Sequence, residues 1–155
     1  MKIGIFGTGI VGRTIAQKLA SQGHEVTIGT RDPQATLARD DGDAYGNPPY
    51  RTWQAANPNV KLATLKETAA HGEMFFAVLL GQATVEALRS AGEDALAGKI
   101  LVDVTNPLDF SKGMPPSLFV SNTDSLGEQI QRALPRTKVV KSLNTLTASL
   151  MVDPG

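Results

Sequence analysis

Near the start of the chain, GTGIVG over residues 7–12 sets three glycines at the spacing G-x-G-x-x-G. Glycine is common, so the pattern gains meaning from its surroundings. Here it directly follows an apolar run and opens a helical pattern. Gly7 permits a tight turn. Gly9 has no side chain, so backbone N–H groups can approach a pyrophosphate. Gly12 lets a helix pack close to the strand before it. The start of that helix supplies unpaired N–H donors and a partial positive charge for phosphate oxygens. The chemistry predicted is dinucleotide binding.

A second candidate is the run Thr30, Arg31, Asp32. An acid that hydrogen-bonds the ribose hydroxyls is expected about 20 residues past the glycines. Asp32 meets the count, but the strand before it reads EVTIGT and ends on Thr30. Asp32 stands before Pro33 and has a sufficient role as a helix N-cap. Thr30 is neutral and offers a hydroxyl donor. Arg31 can pair with a 2′-phosphate and stack on adenine. A carboxylate at position 30 would repel that phosphate, and none is there. The reading is NADP over NAD, set against the alternative that Arg31 is an ordinary solvated arginine.

In a sheet of this kind ligands lie beyond the carboxyl ends of the strands. Those ends are residues 7–12, 30–32, 80–84, 105–108 and 144–147. His24 and His71 each precede a strand and are expected at the opposite edge. Asp103 lies within a strand near the ligand edge and reads as a structural carboxylate. Lys141 in the last strand reads as a proton donor or as an edge lysine. Asp109 and Asp124 are loop residues. What remains is polar and neutral: Thr105, Asn106, Asn144, Thr145 and Thr147. Such groups place a flat heterocycle but are poor proton movers. That suits hydride transfer between two redox cofactors, where the protein supplies distance and orientation.

The elements that must position these groups alternate along the chain. KIGIF is a buried strand, followed by a helix over IVGRTIAQKLASQG with Gly23 at its C-terminal end. EVTIGT is a strand and DPQATLAR a helix capped by Asp32, and DDGDAYGNPPY reads as a loop. NVKLAT is a short strand, and TLKETAAHG a helix with the capping-box pair Thr64 and Glu67. MFFAVLLG reads as a fully buried strand, and TVEALRSAGEDALAG as a long helix broken near Gly92. KILVDVTNP is a strand and DFSKGMPPS a loop. SLGEQIQRALP is a helix with a second capping box, Ser125 and Glu128, and KVVKSLN is the last strand. The alternation predicts an α/β fold of the Rossmann type. It is a doubly wound, mainly parallel sheet with helices on both faces, as one NAD(P)-binding domain over residues 1–155.

Composition narrows the class. The formal net charge is +0, with no Lys/Arg-rich run, so nothing points to nucleic acid or an anionic membrane surface. There is no cysteine, hence no disulfide, thiol nucleophile or cysteine metal site. MKIGIFGTG breaks into glycines too early for a signal-peptide core, and no apolar run approaches membrane-spanning length. The expectation is a cytoplasmic protein.

Four stretches together resemble a known family: MKIGIFGTGIVGRTIAQKLASQGHEVTIGTRDP, LVDVTNPLD, VSNTDSLGEQIQRALP and KVVKSLNTLTASLMVDP. They are similar to the NADP oxidoreductases dependent on the deazaflavin coenzyme F-420. The same module occurs in six-transmembrane metalloreductases. The resemblance implies reversible hydride exchange between NADPH and an oxidised deazaflavin, without a protein nucleophile. It implies that Gly7, Thr8, Gly9, Ile10, Val11 and Gly12 hold the pyrophosphate, and Thr30 and Arg31 the 2′-phosphate. Leu79, Leu80 and Gly81, with Thr105, Asn106 and Pro107, would flank ribose and nicotinamide. Leu143, Asn144 and Thr145 would line the place of the second ring. Family members continue with further secondary structure that walls the second site and supports a homodimer; the resemblance therefore implies a wall that this sequence does not contain. A flavin or ferric-chelate reductase, and a nucleotide-binding or redox-sensing module without catalysis, are the other readings.

Overall fold

A computed structural model of the chain describes residues 1–42 and 46–155. In chain order its elements are β1 (Lys2–Phe6), α1 (Ile10–Ser21), β2 (Glu25–Thr30), α2 (Pro33–Ala38), α3 (Tyr50–Ala56) and β3 (Lys61–Thr64). There follow α4 (Leu65–His71), β4 (Met74–Ala77), α5 (Gly81–Ala91), α6 (Glu93–Leu96) and β5 (Ile100–Asp103). The last are β6 (Leu108–Asp109), β7 (Ser117–Leu118), α7 (Leu126–Ala133), β8 (Lys138–Lys141) and α8 (Ala148–Val152).

Six strands form one sheet in the order β3-β2-β1-β4-β5-β8, and every neighbouring pair is parallel. The chain steps outward from β1 to β3, then returns to lay β4 on the other side of β1. A ligand crevice belongs at that reversal, beyond the carboxyl ends of β1 and β4.

Successive residues of each strand serve opposite faces. From β1, Ile3 and Ile5 join Ile15 and Ala16 of α1, with Val26 and Ile28 of β2. Phe6 points the other way, to Leu65, Leu88 and Ile130 from α4, α5 and α7. Both faces are therefore covered, which is why the strands read as unbroken apolar runs. Phe6 and Phe75 are both fully buried and stack with centroids 5.5 Å apart. Each such ring contributes about 1.5–3 kcal/mol by leaving water.

Element order and type follow the sequence reading, and the differences have local causes. The strand predicted over residues 74–81 stops at Ala77. Val78 donates to the Phe6 carbonyl, and Leu80 becomes the N-cap of α5, which starts at Gly81. MFFAVLL is apolar throughout, so periodicity could not mark this change. The strands predicted through residues 107 and 144 end at Asp103 and Lys141. The stretch read as loop at 109–117 is flanked by a short antiparallel pair, Leu108 on Leu118 and Asp109 on Ser117. Helices α3 and α8 had no counterpart among the predicted elements; α3 begins at Tyr50, taken as the end of a loop, and residues 43–45 of that loop lie outside the described residues. The break at Gly92 is present, with φ +108°. The Thr64–Glu67 box closes in both directions. At Ser125 the hydroxyl accepts from the Glu128 N–H, and Glu128 returns to that hydroxyl rather than to the backbone. Among the described residues, no helix is long and apolar enough to cross a membrane.

Candidate functional site

The three glycines of the first turn are required for different reasons. Gly7 has φ +126°, and a Cβ there would sit 2.8 Å from the Val78 carbonyl oxygen. A Cβ on Gly12 would sit 2.3 Å from the Gly7 carbonyl oxygen. Both are thus demanded by close approach within the fold. Gly9 differs: a Cβ there would meet nothing within 4 Å. Gly9 is also the N-cap of α1, which has no side-chain cap and no acid in its first turn. The opening N–H groups of a twelve-residue helix therefore border open space. A phosphate fits that combination.

Arg13, which sequence reasoning passed over, stiffens this turn. Its Nε donates to the Thr8 carbonyl at 2.9 Å and its Nη1 to the Pro48 carbonyl at 2.7 Å. The guanidinium lies 5.3 Å from the centre of the Tyr50 ring. Burial pushes the Tyr50 phenol upward in pKa, with the Arg13 charge pulling against it. The only local signal was a cation directly after the motif.

At the end of β2, Thr30 is the last strand residue and pairs in register with Thr64. Asp32 Oδ1 accepts the Ala35 N–H at 2.9 Å, and Pro33 stands in the first turn, so the acid caps α2. The Thr36 hydroxyl donates to the Asp32 carbonyl, and Thr30 Oγ1 lies 3.0 Å from Thr36 Oγ1. The Thr30 hydroxyl is therefore the donor of that pair. Arg31 is exposed and makes no hydrogen bond or ion pair among the described residues.

Beyond β4, Gly81 brings the start of α5 against the turn that follows β5, since a Cβ there would be 2.2 Å from the Asn106 carbonyl oxygen. Leu79 packs on the core and Leu80 is 77% exposed. The turn after β5 is held from below. Asp103 is fully buried, and its Oδ1 accepts both the N–H and the hydroxyl of Thr105, at 2.9 and 2.6 Å. Lys141 Nζ lies 3.2 Å from Asp103 Oδ2 and donates to the Thr105 carbonyl. Asp103 Oδ2 also faces the start of α7, where a Cβ on Gly127 would be 3.5 Å away. Thr105 is thus a fixed support, and half-buried Asn106 and Pro107 form the surface. Asn106 and Asn144 exchange hydrogen bonds: Nδ2 of Asn106 to the Asn144 carbonyl at 2.9 Å, and Nδ2 of Asn144 to Asn106 Oδ1 at 3.0 Å. Leu143 beside them has φ +64°, a left-handed backbone that is rare for leucine.

All the predicted stretches therefore reach the carboxyl edge of the sheet. The glycine turn touches Val78, Gly81 touches Asn106, and Asn106 holds Asn144. A cleft of about 300 Å³ opens beside them, lined by Leu80, Gln82, Leu108, Asp109, Phe110 and Ser111. Asp109 is held below the usual carboxylate range by the Ser111 backbone N–H and hydroxyl, with a smaller contribution from Gln82. His24 and His71 lie at the opposite edge, near the Met1 amino group and Glu25 respectively. Asp124 is bound to Arg132 and Gln129 at the start of α7. No histidine stands among the described residues of this edge; of the charges there, Asp103 and Lys141 hold each other and Thr105.

Comparison with known proteins agrees with this geometry. The family model described as NADP oxidoreductase, coenzyme F420-dependent, matches residues 2–107. The F420-dependent NADP reductase of Methanothermobacter marburgensis is 31% identical over 157 residues, covering 99% of this chain and 67% of that protein. The metalloreductase STEAP3 of Rattus norvegicus is 28% identical over 147 residues, covering 95% of this chain but 25% of that protein. The crystal structure of a candidate F420-dependent NADP reductase from Arthrobacter sp. FB24 superposes with a TM-score of 0.93 at 58% identity, covering 100% of this chain and 67% of that one. The chain spans about two thirds of the reductases and a quarter of the metalloreductase. With the glycine turn and the ends of β2, β4 and β5 inside the matched region, the chain belongs to the coenzyme F420-dependent NADP oxidoreductase family.

Proposed function

We propose that the chain binds NADP(H) across the carboxyl edge of the sheet and passes hydride between it and a deazaflavin of the coenzyme F-420 type. The observation that carries this is the pairing of an open, uncapped α1 start behind Gly9 with an unpartnered Arg31 at the end of β2. The first suits a pyrophosphate and the second a 2′-phosphate. Because the Thr30 hydroxyl already donates to Thr36, Arg31 carries the phosphate contact and Thr30 contributes by being uncharged. Residues 7–12 take the pyrophosphate on their backbone, and Arg13 keeps the Thr8 peptide in place.

The bound dinucleotide supplies a hydride from the nicotinamide ring to an oxidised acceptor ring, and the proton that completes the reduction comes from water. The chain orients and shields. Leu79, Leu80 and Gly81 flank the ribose and nicotinamide on one side; Asn106 and Pro107, fixed through Thr105, flank them on the other. The Asn106–Asn144 exchange sets the distance between the turns after β5 and β8. Leu143 and the cleft at Leu80, Leu108 and Phe110 offer apolar surface to a second flat ring. A flavin or a ferric chelate is the alternative acceptor, the metal chelate favoured by the similarity to a metalloreductase.

Titration with NADPH and NADH, followed by oxidised deazaflavin or FMN while reduced-nicotinamide absorbance is monitored, tests this reading. The expected result is preferential NADPH binding and turnover with one acceptor. Binding without turnover on either acceptor leaves a cofactor-binding module, and preference for NADH overturns the role of Arg31.

A further inference from the structure

Arg13 stands at the end of the first turn of α1, where a cation opposes the helix macrodipole. The helix alone would be better served by a neutral side chain there, but the guanidinium is held at three points outside the helix. Nε donates to the Thr8 carbonyl at 2.9 Å, Nη1 donates to the Pro48 carbonyl at 2.7 Å, and Cζ lies 5.3 Å from the centre of the Tyr50 ring. Tyr50 is itself buried at the start of α3, and its hydroxyl bonds Gln54 one turn on. The side chain is therefore fixed from two sides, by α3 and by the glycine turn.

That grip decides which way one peptide faces. The cis bond of the described chain is Met114–Pro115, so the Thr8–Gly9 peptide is trans. A trans peptide is planar, and its C=O and N–H point to opposite sides of the chain. With the Thr8 carbonyl turned to Nε, the Gly9 N–H is turned away from Arg13. That N–H has no hydrogen-bond partner among the described residues. Gly9 is exposed, with open space where a Cβ would stand. Glycine restrains its backbone weakly, so nothing in Gly9 itself keeps the peptide from turning over. Turned over, it would present a carbonyl oxygen to the open side and repel a phosphate.

We propose that Arg13 is the positioning residue of the pyrophosphate site: by holding the Thr8 carbonyl it keeps the Gly9 N–H aimed outward. The proposal rests on the reading that a dinucleotide binds at the glycine turn, and it names the residue through which α3 supports that turn. Arg13 then acts on the part that NADP(H) and NAD(H) share, in contrast to Arg31. It acts through one donor nitrogen rather than through its charge.

Two substitutions separate donor from charge. In Arg13→Met a methyl carbon takes the chain position of Nε. In Arg13→Gln the amide nitrogen takes it, so a donor to the Thr8 carbonyl is kept while the charge and the Pro48 contact are lost. NADP⁺, NAD⁺ and adenosine 2′-monophosphate, which has no pyrophosphate, are titrated into each protein by calorimetry. Thermal unfolding of each variant sets a temperature at which it is folded. Arg13→Met should weaken NADP⁺ and NAD⁺ by the same factor, at least about fivefold, the scale of one net hydrogen bond. Arg13→Gln should hold both within about twofold, and the monophosphate should change by less than about twofold in either variant. Should Arg13→Met not fold, Arg13→Leu, which also lacks the donor, takes its place. Unchanged dinucleotide affinity in the variant without a donor overturns the proposal. An equal loss in Arg13→Gln also overturns it, because charge alone would then explain the effect. A loss that extends to the monophosphate does the same, since it marks a general loosening of the fold. If the unaltered protein binds neither dinucleotide, the function proposed above falls and this inference with it; dinucleotide binding that survives loss of the donor overturns this inference alone.

Discussion

Lys141 Nζ lies 3.2 Å from Asp103 Oδ2 across the last parallel pair of the sheet, on residues that are partners in register. The carboxylate is wholly buried, the ammonium is partly exposed, and Oδ2 has no hydrogen-bond partner besides this ion contact. Together the two charges grip every polar backbone group of Thr105. The turn that presents Asn106 and Pro107 is therefore set by a charge pair seated beneath it.

Removing one member leaves the other without its counter-charge. Lys141→Met should destabilise the fold by about 2–4 kcal/mol, because a buried carboxylate loses its ion partner. Asp103→Asn should also cost stability. The double variant Asp103→Asn/Lys141→Met should be less destabilised than the sum of the singles. Urea unfolding of the four proteins measures this, and strictly additive losses would show that the pair is not coupled.

Arg31→Ala should weaken NADPH binding by about 1–3 kcal/mol, the scale of a lost charged hydrogen bond. NADH binding should be nearly unchanged. Calorimetric titration of both nucleotides decides the matter. Equal losses would mean that Arg31 only stacks on adenine.

The glycines of the first turn should separate folding from binding. Gly12→Ala forces a Cβ toward the Gly7 carbonyl, 2.3 Å away, so the thermal midpoint should fall clearly. Gly9→Ala has open space and an ordinary extended backbone, so stability should hold within about 1 kcal/mol. Its methyl group would occupy the place of the pyrophosphate, and NADPH affinity should drop at least about tenfold, the equivalent of roughly 1.4 kcal/mol. Undiminished NADPH binding by Gly9→Ala would sink the phosphate assignment.

Asp124 should titrate far below a normal aspartate. Hydrogen bonds from Arg132, then Gln129, lower it from 3.8 to about 2. A folded-state pKa below the unfolded value contributes stability above the unfolded pKa. That contribution is lost as pH falls from 3.8 toward about 2. Carboxyl-carbon NMR should place the transition near 2 in the unaltered protein and raise it part of the way toward 3.8 in Arg132→Ala, where Gln129 still donates. A midpoint near 3.8 without the substitution would contradict the Asp124–Arg132 contact.

Much of the fold was legible because its punctuation is local. Gly7 and Thr30 end strands, Asp32 and Thr64 cap helices, and each signal lies within a few residues of what it marks. The end of β4 was not legible. MFFAVLLG stays apolar while the backbone passes from strand to helix cap, and what stops the strand is the approach of Gly81 to Asn106, a contact set by topology. Helix α3 escaped for a similar reason: Tyr50 is buried in a cluster with residues distant in sequence, among them Ile15 of α1 and Val26 of β2. At the site, Asp103 and Lys141 were each visible as charges near the correct edge. Their union required the register of β5 on β8, which no spacing in the sequence encodes. Arg13 was the least legible, since Pro48 is 35 positions away.

The division between Arg31 and Asp32 bears on how such a chain can change. Asp32 carries the cap of α2 through both its carboxylate and its carbonyl. Arg31, its neighbour, is exposed and makes no hydrogen bond or ion pair among the described residues. A residue that caps a helix therefore stands beside one with no polar partner in the described fold. Under the proposed binding mode, mutation at position 31 would change nucleotide preference at little cost to stability, whereas mutation at 32 carries a folding penalty whatever it does to binding. With Arg31 at the 2′-phosphate as proposed, selection on coenzyme choice would act at a position insulated from selection on stability.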